Sequence, residues 1–300
     1  MIQVQDLTKT FDGFTALDHA DMHVQKGSIY GIVGPNGAGK STLMRHITGI
    51  FRPDSGSILI DGQPVYENPE IKKRMAYIPD ELFYFAQSST ESMKRYYQTL
   101  YPQFDTDLFE KLREIFPLIN TRMPVRRLSK GMQKQAVFWL SLCCRPDLLI
   151  LDEPVDGLDP VMRRQIWSLI MTDASERDVT VLISSHNLRE LEDVCDHVGI
   201  MHKGRFILEQ SLSELQEGFA KVQVAFGTPE LPALPPDITV LHHQQSGRVY
   251  SLIIKKDPES ARKAFETLSP LLLDLLPLTL EEIFIYELGG VDYEIKEILL

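Results

Sequence analysis

This sequence has few cysteines, no excess of basic residues and no long apolar run. Only three cysteines occur among 300 residues, without the spacing of metal ligands, as expected of a reduced cytosolic protein. Lys and Arg number 31 against 42 Asp and Glu, which gives a net charge of −11. Because nucleic-acid-binding surfaces are normally basic, this balance argues against a nucleic-acid partner.

The sequence also lacks the signals of a membrane or secreted protein. No run of 18 apolar residues occurs, and the chain does not open with a basic stretch followed by an apolar one. The most apolar stretch, residues 270–280, is interrupted by Asp274 and Pro277. We therefore expect neither a signal peptide nor a membrane span. If the protein acts at a membrane, a partner must supply the span.

A glycine-rich stretch, residues 34–42, is the strongest signal that is present. Its sequence, GPNGAGKST, fits the phosphate-loop pattern G-x-x-x-x-G-K-[ST]. Glycines let the backbone turn its N–H groups toward phosphates, the lysine can reach the β- and γ-phosphates, and the first hydroxyl after it can bind Mg²⁺. The candidate nucleotide-binding residues in this loop are Gly34, Pro35, Asn36, Gly37, Ala38, Gly39, Lys40, Ser41 and Thr42, with Ser41 also a candidate metal ligand.

The flanks of this loop have the pattern that a phosphate loop requires. Residues 28–33 are apolar and β-branched, which predicts a buried strand. Residues 41–49 carry apolar side chains at helical spacing and end in glycine, which predicts a helix. The positive end of that helix would favour the same phosphates.

Two adjacent carboxylates follow an apolar strand predicted over residues 148–151. Asp152 is a candidate Mg²⁺ ligand, and Glu153 is a candidate general base that accepts a proton from an attacking water. His186 ends the next predicted strand, residues 179–185, and could hold that water beside the γ-phosphate. The carboxyl ends of parallel strands are where open α/β sheets bind ligands. The sequence therefore predicts a site that hydrolyses Mg-ATP.

The pattern of elements predicts an α/β protein with an appended domain. Strands alternate with helices through the ATP-binding part, which indicates a largely parallel sheet. Residues 81–123 predict a mostly helical insert whose aromatic face is either its own core or in part a docking surface. We expect an ATP-binding domain over residues 1–217, with a helical subdomain at about 81–145, and a small α+β accessory domain over 218–300.

The chain resembles the ATP-binding subunits of ABC transporters from residue 1 to about residue 215. The most diagnostic stretch is LSKGMQ, which is similar to the LSGGQ signature that other phosphate-loop ATPases lack. The similar motifs, in the family's order, are Walker A at residues 34–42, the signature at 128–133, Walker B with its catalytic glutamate at 148–154, the D-loop at 157–159 and the H-loop at 184–186.

The resemblance assigns further site residues. Phe11, which by itself is either ordinary packing or a stacking platform, falls where the family stacks adenine. Ser129 and Gly131 match the signature residues that touch the γ-phosphate of the partner subunit, and Asp159 lies in the D-loop. Asp80 stands at the Q-loop position, where the family normally has glutamine; its carboxylate is a candidate for nucleotide and Mg²⁺ binding.

Two departures from the family occur in the signature and the Q-loop. Lys130 and Met132 replace the usual signature residues, while Ser129 and Gly131 are kept, so the function of the signature should survive. Asp80 adds negative charge near a triphosphate, which is expected to tune the coupling between nucleotide state and transport.

The resemblance implies a P-loop NTPase with a RecA-like core, an antiparallel β-subdomain and a helical subdomain. It also implies two subunits, identical or different, that sandwich two Mg-ATP and drive a separate transmembrane permease at the cytoplasmic face of the membrane. The signature and the LEEIFI tail at residues 280–285 most resemble bacterial ABC-2-type exporters, which include drug-resistance pumps.

Two alternatives belong to other functional classes. A soluble ABC ATPase acting on ribosomes or DNA usually carries two such domains or a long coiled coil between Lys40 and Asp152, and neither fits this chain. A non-catalytic scaffold is disfavoured because Glu153 and His186 are both present together with the phosphate loop.

Overall fold

The computed structural model describes residues 1–85, 87–228 and 230–283. These residues form two compact units. The first unit comprises Met1–Asn187 and Val194–Glu209, and the second comprises Leu188–Asp193 and the chain from Gln210 onward. Each unit is described by itself below. The domain boundary near residue 217 stays a prediction.

A four-stranded antiparallel sheet opens the first unit. Its strands are β1 Ile2–Phe11, β2 Phe14–Val24, β4 Ser55–Ile60 and β5 Gln63–Pro64, in the order β2-β1-β4-β5. The sequence of residues 9–13, KTFDG, predicts a loop, and this is wrong for Lys9, Thr10 and Phe11, which belong to β1; Phe11 ends the strand and pairs with Phe14. Asp12 and Gly13 both have positive φ angles, 46° and 86°. This is the conformation of a two-residue hairpin turn, for which Asp-Gly is the usual signal.

A six-stranded sheet forms the centre of the first unit. Its strands are β3 Ile29–Val33, β6 Met75–Ile78, β7 Leu148–Asp152, β8 Thr180–Ser185, β9 His197–His202 and β10 Arg205–Ser211, in the order β10-β9-β3-β8-β7-β6. The pairings from β6 through β9 are all parallel. Every residue of β3, β7 and β8 is buried. Strands of a parallel sheet are covered on both faces, which explains their continuous apolar sequences.

Six α-helices of the first unit lie among the described residues. They are α1 Lys40–Ile47, α2 Pro69–Lys72, α3 Thr90–Leu100, α4 Thr106–Ile115, α5 Lys130–Cys143 and α6 Pro160–Arg177, with a 3-10 turn at Val125–Arg127. The predicted helical insert therefore contains α3 and α4, whereas residues 81–85 are not helical.

The aromatic residues of the insert divide into a core and a surface. Trp139 of α5 is fully buried, stacks on Phe109 with ring centroids 4.6 Å apart, and donates its indole N–H to the Phe109 carbonyl at 2.9 Å. Phe83, Phe85 and Tyr96 form a chain of edge-to-face contacts but remain 72%, 44% and 45% exposed. The expectation of a core is thus met by Trp139 and Phe109, whereas a docking role for the exposed rings stays a prediction.

The second unit is an antiparallel sheet with a helix packed on one face. Its strands are β11 Ala220–Ala225, β12 Thr239–Ser246, β13 Val249–Lys255 and β14 Leu272–Leu276, in the order β12-β13-β11-β14; its helices are α7 Leu188–Glu192, α8 Leu212–Glu217 and α9 Pro258–Glu266. Phe265 of α9 is fully buried against alternate residues of the sheet, including Val222 and Leu252.

The sequence of this part of the chain predicts strands at 238–241 and 248–255 and a helix at 258–267, and the structure confirms them as β12, β13 and α9. The sequence does not predict β11 or β14. It also predicts a helix over residues 280–288, which is present at 280–283; the remainder lies outside the described residues. Throughout the described chain, no helix is long and apolar enough to cross a bilayer.

Candidate nucleotide site

The loop between β3 and α1 needs its glycines for steric reasons. Gly37 and Gly39 have φ angles of 84° and 107°, which favour glycine. A Cβ on Gly39 would lie 2.6 Å from the Ala16 carbonyl oxygen, and one on Gly34 would lie 2.3 Å from the Met201 carbonyl oxygen. The loop thus lies directly against neighbouring backbone, where no larger side chain fits.

The start of α1 has the properties of an anion site. Within the described chain no side chain caps this helix, so the N–H groups of its first turn keep their donor capacity. The Lys40 side chain is only 6% exposed. Its ammonium group donates to the Gly34 carbonyl at 2.6 Å and lies 3.5 Å from a carboxylate oxygen of Glu153. Positive charge is therefore held between the loop and the carboxyl end of β7.

Asp152 ends β7 and is 2% exposed. One of its carboxylate oxygens accepts hydrogen bonds from the hydroxyls of Ser41, at 3.1 Å, and Ser184, at 2.5 Å. The other accepts from the Tyr77 hydroxyl at 3.5 Å. Burial and the neighbouring Asp152 raise the pKa of Tyr77 to about 12, so its hydroxyl stays protonated and donates. Asp152 is thus joined directly to the helix that follows the phosphate loop.

Glu153 follows Asp152 in a left-handed conformation, with φ of 46°. Its N–H donates to the Ser184 carbonyl at 3.2 Å. Its carboxylate lies 2.9 Å from the His186 Nδ1 and also accepts from the His186 N–H at 3.4 Å. Since its other oxygen is the one near Lys40, Glu153 connects the phosphate loop with the end of β8.

The structure therefore brings together Lys40, Ser41, Asp152, Glu153 and His186. The sequence analysis missed Ser184 and Tyr77 as partners of Asp152. A signal existed for Ser184, because it is a polar residue near the end of a buried strand and pairs in register with Asp152.

The signature residues form the first turn of α5. Ser129 is the N-cap, as expected, and its hydroxyl accepts from the Met132 N–H at 3.3 Å. The sequence placed the start of the apolar helix at Ala136, and this start is wrong by six residues because α5 begins at Lys130. Residues 130–135 are mostly polar, so the apolar periodicity starts later than the helix. Ser129 is exposed and Gly131 half-buried.

Asp80 and Asp159 lie in different surroundings. Asp80 is exposed and lines a cleft of about 560 Å³ together with the signature residues Lys130 and Gly131. Asp159 is the N-cap of α6, where its carboxylate accepts from the N–H groups of Val161 and Met162, each at 3.0 Å. The structure thus connects Asp152, but not Asp80, to Ser41 by a hydrogen bond.

Phe11 is held at the end of β1 by an aromatic contact. Its ring centroid lies 5.5 Å from that of Phe51 in an edge-to-face arrangement, and the Lys9 ammonium lies 5.3 Å from its centroid. The residue is nevertheless 38% exposed. It therefore packs against the protein and retains surface with which a base could stack.

The donor set around Asp152 suits Mg²⁺. A carboxylate and a hydroxyl lie in direct contact there, and Mg²⁺ is typically held by one or two carboxylate oxygens together with substrate phosphates. Within residues 1–85, 87–228 and 230–283, no group of three or more His, Cys, Asp or Glu could hold a metal. The residues that fit Mg²⁺ are therefore Ser41 and Asp152.

Comparisons with known proteins identify the family. Residues 17–156 match the family described as ABC transporter. The chain is 34% identical over 291 residues to the ABC transporter ATP-binding protein YtrB of Bacillus subtilis (strain 168), an alignment that covers 97% of this chain and 99% of that protein. It is 35% identical over 219 residues to the bacitracin transport ATP-binding protein BcrA of Bacillus licheniformis, covering 72% of each chain.

Solved structures of ABC transporter ATP-binding subunits have a similar fold. One described as the ATP binding subunit of an ABC transporter has a TM-score of 0.65 and 27% identity, covering 72% of this chain and 92% of its own. Another, cbiO1 from Clostridium perfringens, part of the transporter complex cbiONQ, has a TM-score of 0.59 and 27% identity, covering 71% of this chain and 89% of its own. These similarities confirm the fold class and the resemblance inferred from the motifs. The chain belongs to the family of ABC transporter ATP-binding proteins.

Proposed function

We propose that this chain hydrolyses Mg-ATP between two nucleotide-binding subunits and thereby drives export through a separate transmembrane permease, at the cytoplasmic face of the membrane. The observation that carries the proposal is the convergence of the phosphate loop, Asp152, Glu153 and His186 at the carboxyl ends of β7 and β8. Open α/β sheets bind their ligands at such strand ends.

Each residue has a distinct role in this proposal. Lys40 and the N–H groups at the start of α1 bind the β- and γ-phosphates. Ser41 and Asp152 hold Mg²⁺, which, when bound, neutralises charge on the phosphate oxygens. Glu153 accepts a proton from the water that attacks the γ-phosphorus, while the bond to the β-phosphate oxygen breaks and ADP leaves. His186, in contact with Glu153, orients the same water.

The signature supports a shared site. Ser129 is exposed at the start of α5, so its hydroxyl is accessible to a second subunit. In the proposed arrangement Ser129 and Gly131 of one chain complete the γ-phosphate site of the other, and Asp159 and Phe11 contribute to the same nucleotide.

The export direction rests on the resemblance of the signature and of residues 280–285 to ABC-2-type exporters, and the names of two relatives indicate the kind of compound. BcrA is a bacitracin transport ATP-binding protein, and SrtF of Streptococcus pyogenes, 34% identical over 235 residues, is a lantibiotic transport ATP-binding protein. By analogy with these names, we propose that the permease partnered by this chain exports a bacitracin-like or lantibiotic-like compound.

ATP-dependent dimerisation of Glu153→Gln tests the function. Loss of the base should lower ATP turnover by at least about 100-fold while leaving ATP binding intact, so the dimer accumulates with Mg-ATP. Light scattering should detect the dimer, and adding Ser129→Arg should abolish it by blocking the shared site. A protein that binds ATP yet stays monomeric contradicts the homodimer and directs the search to a different partner subunit. A protein that fails to bind ATP contradicts the whole proposal.

A further inference from the structure

Lys134 connects the signature helix to the turn that carries Glu153. It lies on α5, five residues after Ser129. Its ammonium group donates to the backbone carbonyl of Glu153 at 3.1 Å and to that of Asp156 at 2.8 Å. Hydrogen bonds from a charged donor are about twice as strong as neutral ones. One side chain of the signature helix therefore holds two carbonyls of the turn that follows β7.

The turn that Lys134 holds contains a strained residue. Glu153 has a φ of 46°, a region that residues other than glycine rarely adopt. Such a conformation persists only where surrounding contacts enforce it. The Glu153 N–H is bonded to Ser184 and its carbonyl to Lys134, so both sides of the residue are held. The direction of the carboxylate toward Lys40 and His186 depends on this conformation.

The preceding residue, Gln133, holds α5 on its other side. Its amide nitrogen donates to the carbonyl of Leu128, the first residue of the signature, at 2.8 Å. Its amide oxygen accepts from the Tyr84 hydroxyl at 2.7 Å. Gln133 and Lys134 together tie the first turns of α5 to the Tyr84 segment and to the Glu153 turn. A displacement of the signature helix must therefore act on the backbone of Glu153.

We propose that Lys134 is a positioning residue for Glu153, through which engagement of the signature by a second subunit's nucleotide sets the general base of its own chain. Lys134 acts on the backbone of Glu153. The inference rests on the proposed function, since it assumes that Glu153 is the base and that the signature acts in trans. It adds a physical connection through which nucleotide binding at one ATP site of a dimer affects the general base of the other.

Replacement of Lys134 by methionine tests the inference. Lys134→Met keeps the length of the side chain and removes the ammonium group. We expect kcat for ATP to fall between about 10- and 100-fold, the effect of misplacing a catalytic group by about 1 Å. We expect KM to stay within about twofold, because the phosphate loop is unchanged. The ATP-bound dimer should persist, as we expect for Glu153→Gln, and Lys134→Arg should restore most of kcat because its guanidinium can donate to both carbonyls.

Lys111→Met is the matched control. Lys111 is an exposed residue of α4, and its replacement should leave kcat, KM and dimerisation unchanged. A kcat of Lys134→Met within twofold of the wild type overturns the inference. So does a joint loss of ATP-dependent dimerisation and kcat, which would assign Lys134 only to the stability of the signature helix.

Two further comparisons keep the outcomes separate. If Lys134→Met does not fold, Lys134→Gln, which keeps a donor but loses the charge, is measured in the same way against Lys134→Arg. A wild-type chain that does not bind ATP contradicts the proposed function itself, whereas one that binds ATP but stays monomeric contradicts only the homodimer. An active wild type with an equally active, folded Lys134→Met or Lys134→Gln contradicts only the role of Lys134.

Discussion

The two main sheets of this protein bury their side chains in different ways. In the first unit, β7 has the sequence LLILD and is buried at every position. In the second unit, β11 has the sequence AKVQVA and alternates between buried and half-buried positions. The first sheet is covered on both faces, as parallel sheets are, whereas the antiparallel sheet of the second unit covers one face with α9.

This difference decides where polar chemistry can lie. A strand buried on both faces carries polar groups only at its ends, so Asp152 and Ser184 of adjacent strands are brought to one edge and into contact. A half-buried strand spreads its polar side chains over an open face, as Lys221 and Gln223 do on β11. Substitutions in the two units should therefore affect different properties: turnover in the first and stability in the second.

Asp152→Asn should have the largest effect. The variant loses the negative charge that, in the proposed function, holds Mg²⁺ together with Ser41. Metal stabilisation of the transition state is worth several kcal/mol, which corresponds to a loss of turnover of at least about a thousandfold. Phosphate release measured across a range of Mg²⁺ concentrations checks this.

The opposite end of the same strand provides the control. Asp147, just before β7, is half-exposed and bonded to Arg74 at the surface. Asp147→Asn should leave turnover within about twofold of the wild type. Equal losses of turnover in the two variants would show that both substitutions disturb the structure of β7. The proposal that the catalytic residues lie at its carboxyl end would then be wrong.

Leu252→Ala should have the next largest effect, on the stability of the second unit. Leu252 of β13 is fully buried beneath α9, and its truncation should cost about 2–5 kcal/mol. Hydrogen exchange of the β11 and β13 amides should accelerate strongly, with little change in β7. Leu271→Ala, at a position 74% exposed, should change the same amides by no more than about 0.5 kcal/mol. Equal acceleration in β7 would contradict the division into two stability regions.

How far the sequence predicts each sheet follows from the same contrast. Apolar runs ending in polar residues predicted β7 and β8 almost to the residue, since burial on both faces leaves a continuous signal. The strand β11 was missed because lysine and glutamine interrupt its apolar residues. The strand β14 was noticed only as an apolar stretch broken by Asp274, although Asp274 lies inside the strand. Short alternating strands carry a weaker signal than buried ones.

The residues of the candidate site also differ in how well the sequence predicts them. The residues within contiguous motifs, such as Lys40 and Glu153, could be named from the sequence, because their spacing is local. Tyr77 and Lys134 could not, because their roles come from contacts across 75 and 19 residues of sequence. The left-handed conformation of Glu153 is likewise set by neighbouring strands, so its contacts with Lys40 and His186 had to be seen.

The two units should also differ in their response to acid. His46 of α1 is buried, and burial lowers its pKa from 6.5 despite a contact with the Thr42 carbonyl. The unfolded chain therefore binds a proton more readily than the folded one, and stability is lost as the pH falls from 6.5 toward the lower folded-state pKa. We therefore expect the unfolding temperature of the first unit to fall over this range, by about 2–4 °C for each 1 kcal/mol of stability lost.

His46→Gln should remove this dependence, because glutamine does not titrate. The measurement is thermal unfolding of the wild type and the variant at pH 7.5 and 5.5. Hydrogen exchange of the β3 and β7 amides monitors the unfolding of the first unit. Parallel slopes in the two proteins would show that other groups control the acid response of the first unit.

Substitution of Glu282 should change stability least. The change concerns the second unit and a lower pH range than that of His46. Partial burial favours the neutral form of Glu282, but hydrogen bonds from Lys221, at 2.5 Å, and from Thr279 outweigh burial and lower its pKa from 4.5. Its contribution to stability is therefore present above pH 4.5 and lost as the pH falls through the folded-state pKa. Because the pair is partly exposed, Glu282→Gln should cost at most about 1 kcal/mol at pH 7 and less at pH 3, and high salt should reduce the cost at pH 7. Hydrogen exchange of β11 at the two pH values measures this, and an equal cost at both would assign the loss to packing instead of charge.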